Sequence, residues 1–347
     1  MKMLCKVALF ITLLTNIIFA QQTDLEKGIE LYKQGNNSAA ISLLEKLSKQ
    51  KETKNEPKVW NYLGLAYIEK GDLKKARKAL EKANSLNSQN SAFRTNLGYA
   101  YLLSNKIDNS QLQLNEAIRL EPQNFLAYYI RGTSFFWEKN YDRALGDAEN
   151  AIIFQVNFSS AYILKADILT AKFGQRIANG STARDEISFL RQAVEILETC
   201  MKTCQGTNLQ MPQERLESLK VFYEYFSKIK PDNKDLNTAA EVNAVTGNNE
   251  NLSTAKNLND TPLKILSKQH PNYTDKARQA GISGTITLYV LFAASGKISN
   301  VITIQALGYG LDEEAIKAAR KMTFQPQTEN GKPVSVVKMV AFTFTIY

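Results

Sequence analysis

WNYLGLAYIEKGDLKKARKALEKANSLN, residues 60 to 87, holds two helical patterns separated by the small turn Lys70-Gly71-Asp72. On both sides of the turn apolar residues recur at spacings of three and four, the period of a helix with one buried face. The segment returns down the chain. Leu63-Gly64, Leu97-Gly98 and Arg131-Gly132 hold matching places, and the steps from 64 to 98 and from 98 to 132 are each 34 positions. Tyr67, Tyr101 and Phe135 keep that period, as do Ala83, Ala117 and Ala151. The small residue lets a neighbouring helix approach closely, and the large residue three positions on fills the gap beside it. A unit of two short helices cannot bury its apolar stripe alone, so consecutive units must stack.

The pattern resembles the tetratricopeptide repeat (TPR), whose motif runs W-x2-L-G-x2-Y, then Ala, Phe or Leu, Ala and Pro. Trp60, Leu63, Gly64, Tyr67, Ala76, Leu80 and Ala83 match it in the unit at 57–90, with Ser88 in place of the closing proline. The unit at 91–124 keeps Leu97, Gly98, Tyr101, Leu114, Ala117 and Pro122 but has Ser110 in the small column. The unit at 125–158 keeps Tyr128, Gly132, Phe135, Tyr141, Ala144, Ala148 and Ala151. A divergent first unit, with Gly28, Leu31, Gly35, Ala40 and Leu44, covers about 21–54. A fifth unit begins on schedule at Ser159 and then departs, with a first helix too long for a repeat and a second from about Thr182 to Thr203. ERLESLKVFYEYFSKI follows as a closing helix, as expected of an atypical terminal repeat. The resemblance implies a concave platform for peptides or proteins. Its inner face would offer Leu65, Ile68, Tyr99, Leu102, Tyr129, Thr133, Phe136 and Trp137, an aromatic-rich set suited to protein docking.

Residues 231–261, PDNKDLNTAAEVNAVTGNNENLSTAKNLNDT, are rich in Asn and Thr and poor in large apolar groups, and read as a flexible tether. From Pro262 the period changes to two. Ile286, Leu288, Val290 and Phe292 alternate with Thr285, Thr287 and Tyr289; Ala-Ser-Gly-Lys at 294–297 makes a turn, and Ile298, Ile302 and Ile304 continue one face of a second strand. A helix follows Gly308 and Gly310, with Asp312 placed to cap it, Leu311 set to staple onto Ile316, and Ala315, Ala318, Ala319 and Met322 as a narrow stripe. Asn330-Gly331 predicts a hairpin turn. In the final strand Val334, Val336, Val340, Phe342, Phe344 and Ile346 share a face that Lys338 interrupts, marking a bulge or an edge.

HPNY at 270–273, ARQAGISGTITLYV, the turn SGKI, GYGLDEEAIKAARKMTF and QPQTENGKPV together resemble the C-terminal domain of TonB-type energy transducers of the Gram-negative envelope, over about 262–347. The family's Gln-Pro-x-Tyr-Pro motif is half kept: Pro271 and Tyr273 match, while His270 and Thr274 replace the glutamine and second proline. The resemblance implies a small antiparallel sheet backed by helices, an edge of which pairs with an extended segment of an outer-membrane receptor. It assigns that role to the strand from Ser335 to Thr345, with Ser335, Val337, Met339, Ala341 and Thr343 as contacts, and puts His270, Pro271 and Tyr273 near the partner.

The whole reads as a multi-domain chain, an all-α TPR solenoid over 21–230 and a small α+β TonB-like domain over 262–347, as its 347 residues allow. MKMLCKVALFITLLTNIIFA, residues 1–20, has lysines and then an apolar run too short to span a bilayer, the pattern of a cleaved secretory signal. The expected location is the periplasm; the alternative is an uncleaved inner-membrane anchor. Cys200 and Cys204 are then the remaining cysteines, close enough on a helix end for a local disulfide. The net charge of +9 is spread among acidic neighbours, as on a solvated helical surface, which argues against nucleic acid. With no phosphate-binding glycine loop, no metal-ligand cluster and no nucleophile beside His270, the expectation is a non-enzymatic adaptor that binds proteins and uses no cofactor. The alternative is an energy transducer in outer-membrane transport.

Overall fold

The computed structural model describes residues 24–228 and 260–346. The signal segment, 1–20, and most of the tether lie outside that range. The chain divides into two compact units, residues 1–131 and 132–347.

The first unit consists of paired helices: α1 over 24–33, α2 (Asn37–Lys49), α3 (Pro57–Glu69), α4 (Leu73–Leu86), α5 (Ser91–Leu103), α6 (Ile107–Leu120) and the first half of α7 (Phe125–Trp137). Each turn sits where the sequence supplies a stop. Gly71 takes φ +78°, and the Asp72 carboxylate accepts from Lys75 N at 3.0 Å to cap α4. Pro57 opens α3, where a missing N–H costs nothing. The motif columns face inward: Leu63, Ala76, Leu80, Ala83, Leu97, Leu114 and Ala117 are all buried. Polar ties seal the end of the unit at 91–124 and join it to the next. Asn124 Nδ2 donates to Ser91 Oγ at 2.7 Å and Thr95 Oγ1 at 3.0 Å, and its Oδ1 caps α7 at Ala127 N.

The second unit begins with the end of α7, then α8 (Tyr141–Phe154), α9 (Ser159–Ala178), α10 (Ala183–Thr203) and α11 (Gln210–Lys228). Its sheet region follows: β1 (Lys264–Ser267), α12 (Asp275–Ala280), β2 (Gly284–Phe292), β3 (Ile298–Gln305), α13 (Leu311–Arg320), β4 (Thr323–Gln325), β5 (Thr328–Glu329), β6 (Lys332–Pro333) and β7 (Val336–Phe344). The main sheet is antiparallel with order β3-β2-β7; β1 pairs with β4, and β5 with β6. Asn330 and Gly331 both take positive φ, 51° and 73°, the turn that Asn-Gly favours. Thr261 already belongs to this region, since its carbonyl accepts from Thr328 N at 2.9 Å.

One face of the sheet is covered by its own helices. Ile286, Leu288, Val290 and Phe292 of β2 and Val336, Val340, Phe342 and Phe344 of β7 pack in a cluster with Leu311, Ala315, Ala318, Ala319 and Met322. The other face packs on the solenoid's last helices. Tyr289, Leu291, Ile302, Ile304 and Val337 share a core with Phe173 of α9 and Phe222 and Phe226 of α11. The Tyr289 ring lies 5.5 Å from that of Phe226 and 6.2 Å from that of Phe173. The closing helix therefore caps the repeats and carries the sheet.

Two local expectations are corrected, and a third, left open at Lys338, is decided. Ile298 does not share a face with Ile302 and Ile304, because register shifts at both ends of the β2–β3 ladder turn Ile298 toward the sheet's own helices and the other two toward the solenoid. Asp312 is not the N-cap of α13. Gly310 holds that place at φ +79°, while the Asp312 carboxylate accepts from Leu307 N at 3.0 Å and Gly308 N at 2.7 Å, bracing the turn before the helix. Lys338 marks an edge and no bulge: β7 pairs with β2 in unbroken register from Val336 to Phe344.

Candidate functional site

β7 pairs with β2 on one side and with no other strand among the described residues. In an antiparallel ladder alternate residues aim both main-chain groups away from the partner. Two bonds identify which residues do so here: Val337 N donates outward to Tyr225 Oη at 3.2 Å, and Ala341 O accepts from Lys268 Nζ at 2.7 Å. The outward set is thus Val337, Met339, Ala341 and Thr343. Exposure rises along it. Val337 is 2% exposed under α11, Met339 is half-buried, and Ala341 and Thr343 are exposed.

The side chains of this set are not all surface. Val337 and Met339 project into the core formed with α9, α10 and α11, so they are unavailable as side-chain contacts. Ser335 lies just before the strand, with its Oγ accepting from Ala294 N at 3.0 Å. Ala341 is open, and Thr343 Oγ1 hydrogen-bonds Thr285 Oγ1 across the ladder at 3.1 Å. Lys268 joins this site with no local sequence pattern to announce it. Its ammonium lies 4.9 Å from the Phe342 ring centroid, and its half-burial lowers its pKa below the usual lysine value. Tyr225, to the sequence only a residue of the closing helix, joins it in the same way.

Of the motif before β2, His270 is exposed and Pro271 half-buried. Tyr273 is used internally: its hydroxyl donates to Ile282 O, and its ring meets Phe344 edge-on at 6.1 Å. The motif therefore ties the α12 loop to the C-terminal end of β7, beside the open stretch of edge.

The TPR set divides in the same way. In the first unit Ile68 and Leu102 are 3% and 1% exposed, core residues that offer no groove surface. Leu65, Tyr99 and Tyr129 are half-buried. Burial pushes the Tyr99 hydroxyl up to about 12, and Tyr129, Glu69 and Tyr32 nearby add to it, so tyrosines of successive repeats gather on this face. In the second unit Thr133 is half-buried, and the Phe136 ring lies 5.9 Å from that of Tyr141. Trp137 is not a groove residue. Its indole lies 4.3 Å from the Tyr309 ring and against Gly308, whose lack of a side chain makes room for it. Sequence alone misses this because Trp137 ends its helix at a groove position, and nothing local reveals a contact with a residue so far along the chain.

Cys200 and Cys204 are both buried, with Sγ atoms 2.7 Å apart across one turn at the end of α10. Burial, then the neighbouring thiol, raises the pKa of Cys200 far above the usual range, which makes it a poor nucleophile. No cluster of three metal-ligating side chains occurs among the described residues, and no described helix is long and apolar enough to cross a membrane.

Comparison with known proteins agrees with both halves of this architecture. Residues 269–346 match the family model of the Gram-negative bacterial TonB protein C-terminal, and residues 25–91 and 95–160 match that of the tetratricopeptide repeat. Similar solved structures include MamA, at 23% identity, covering 50% of this chain and 96% of that one with a TM-score of 0.41. Another is TTC0263, a thermophilic TPR protein of Thermus thermophilus, at 16% identity, 60% and 100% coverage and a TM-score of 0.43. A third is the TPR domain of Arabidopsis OM64, at 21% identity, 32% and 93% coverage and a TM-score of 0.32. No curated protein matches the chain.

Proposed function

We propose that the chain is a non-enzymatic adaptor of the Gram-negative periplasm, whose repeats hold one protein while β7 adds an extended segment of an outer-membrane receptor to its sheet. With TPR repeats and a TonB C-terminal-type domain on one chain, two protein-interaction modules are joined, and protein partners follow. The observation that carries the reading is the solvent-exposed end of the β7 edge at Ala341 and Thr343, where the strand has no further strand beside it among the described residues and only the Lys268 side chain reaches Ala341 O. Strand addition draws affinity from main-chain bonds, so the inward packing of Val337 and of half-buried Met339 does not prevent it.

A photo-reactive residue placed at Ala341 or Thr343 in a Gram-negative host tests it. Cross-linking to an outer-membrane protein is expected at both positions, and none at Leu112, a control residue 64% exposed in the first unit. Absence of an outer-membrane product at 341 and 343 overturns the reading. A second reading, an inner-membrane energy transducer, requires the segment with the apolar run from Val7 to Ala20 to stay uncleaved as an anchor. The N-terminus of the mature protein decides between them: near Gln21 for the adaptor, Met1 for the transducer.

A further inference from the structure

We propose that Tyr225 and Lys268 form a latch on the β7 edge, holding the two main-chain groups that an added strand would need and yielding them only to a strand of matching register. This rests on the strand-addition reading above and concerns how that same edge is controlled.

The two bonds fall on the outward face of one strand, four residues apart. Tyr225 Oη accepts from Val337 N at 3.2 Å, and Lys268 Nζ donates to Ala341 O at 2.7 Å. They are of opposite sense, an acceptor on an N–H and a donor on a C=O. A partner strand supplies the same pair of groups in every repeat of its backbone. Each latch atom can therefore be replaced without leaving a buried polar group unsatisfied, and the incoming strand gains further bonds at Met339, between the two.

Both residues also lie where the block is effective. Tyr225 is on α11, and its ring is fixed edge-on against Phe226 at 5.5 Å, so its hydroxyl is held over Val337 rather than swinging in solvent. Lys268 follows β1 and reaches across to β7, its ammonium over the Phe342 ring. Unprotected edges pair indiscriminately, and a lysine laid along an edge is one of the ways proteins prevent it. The Tyr225 end has a further consequence. Because α11 closes the solenoid, a strand extending as far as Val337 must displace a contact between the sheet and the repeats, whereas one confined to Met339–Thr343 leaves it in place.

The test uses the full chain and its Tyr225→Phe and Lys268→Met variants, each of which keeps the apolar part of the side chain. The probe is a short capped synthetic peptide of alternating threonine and valine; the control is the same peptide N-methylated at alternate residues. Amide exchange in Tyr225→Phe should lose protection at Val337 while the rest of β7 is unchanged. Peptide affinity by NMR titration should rise about tenfold, the effect of one buried N–H regaining an acceptor. Lys268→Met should give a smaller rise, and N-methylation should abolish binding to all three. Equal affinity of the three proteins for the unmodified peptide overturns the latch and leaves strand addition standing. Binding to none of them overturns strand addition itself.

Discussion

In the regular repeats, a glycine in the first helix receives a leucine from the second helix of the same unit. A methyl carbon added at Gly64 would lie 2.5 Å from Leu80 Cγ, and one at Gly98 would lie 2.7 Å from Leu114 Cγ. At the solenoid's end Gly174 of α9 does the same for a residue of the sheet: its added methyl would lie 2.6 Å from Ile304 Cβ and 3.2 Å from Ile304 O. Gly174 belongs to the part of α9 that exceeds the repeat pattern, since α9 has 20 residues where α3 and α5 have 13. The extension that breaks the repeat is what the sheet packs on. β3 packs on that extension through Ile304, beside α11.

If the sheet is in effect the last layer of the solenoid, cutting the shared core should weaken both. Tyr289→Ala removes a ring in contact range of Phe173, Phe222 and Phe226 and should cost about 3–5 kcal/mol, the usual loss for a buried aromatic. Urea unfolding followed by amide exchange in β2 and β7 and by helical circular dichroism should move together. A loss confined to the sheet signals would break the comparison. Gly174→Ala comes next, at about 3 kcal/mol, because its neighbours are a Cβ and a backbone oxygen that cannot rotate away. Gly98→Ala should cost less, about 1–2 kcal/mol: its close neighbours are side-chain atoms of Leu114, which can shift further than a backbone oxygen can, and alanine gains about 1 kcal/mol of helix propensity. Equal losses at 174 and 98 would show that the sheet yields as easily as a leucine side chain.

The seam between solenoid and sheet also has an electrostatic signature. Burial raises Asp312 from its ordinary 3.8 to about 6; Glu313 pushes the same way, and Leu307 N, Gly308 N and Arg215 of α11 oppose it. Arg215 also faces Asp167 of α9 at 3.5 Å, whose carboxyl burial raises as well. For an acid with a raised folded pKa, the folded state binds more protons than the unfolded one between the two values, so stability falls as pH rises. Asp312 alone should therefore remove roughly 2–3 kcal/mol between about pH 4 and pH 6, with little further change above. In Asp312→Asn that slope should disappear, so the variant gains on the wild type as pH goes from 4 to 7. A constant difference between them would mean that the carboxyl does not titrate there.

How far each region can be read from sequence follows from the range of its contacts. The repeat columns are visible because the partner of Gly64 is Leu80, within one unit, and the same spacing recurs down the chain. The inner sheet face is visible too, since Ile286, Leu288, Val290 and Phe292 alternate strictly. The outer face is not. Thr285, Thr287 and Tyr289 look like a solvated side, and only packing on the distant Phe173, Phe222 and Phe226 makes Tyr289 1% exposed. Distance along the chain likewise hides Trp137 against Tyr309. At the β7 edge the parity of Val337, Met339, Ala341 and Thr343 is legible, since period two is local, but Tyr225 and Lys268 reach that edge through tertiary folding alone.

Within the regular repeats the comparison can be sharpened at the one small column that breaks pattern. Ala76 and Ala144 occupy it in neighbouring units, and the unit between has Ser110, fully buried, with an Oγ that finds no hydrogen-bond partner among the described residues. A hydroxyl there carries a desolvation cost and adds nothing to the close approach that the column serves. Ser110→Ala removes the unpaired oxygen without changing the Cβ and adds a better helix former, so it should stabilise the first unit by about 1 kcal/mol. The urea midpoint of the first unit should rise at unchanged slope, while the response to Gly174→Ala stays as in the wild type because the two sites share no partner. A loss of stability in Ser110→Ala would mean that the serine hydroxyl is paired, and that this unit departs from the repeat for a reason the alanine column does not share.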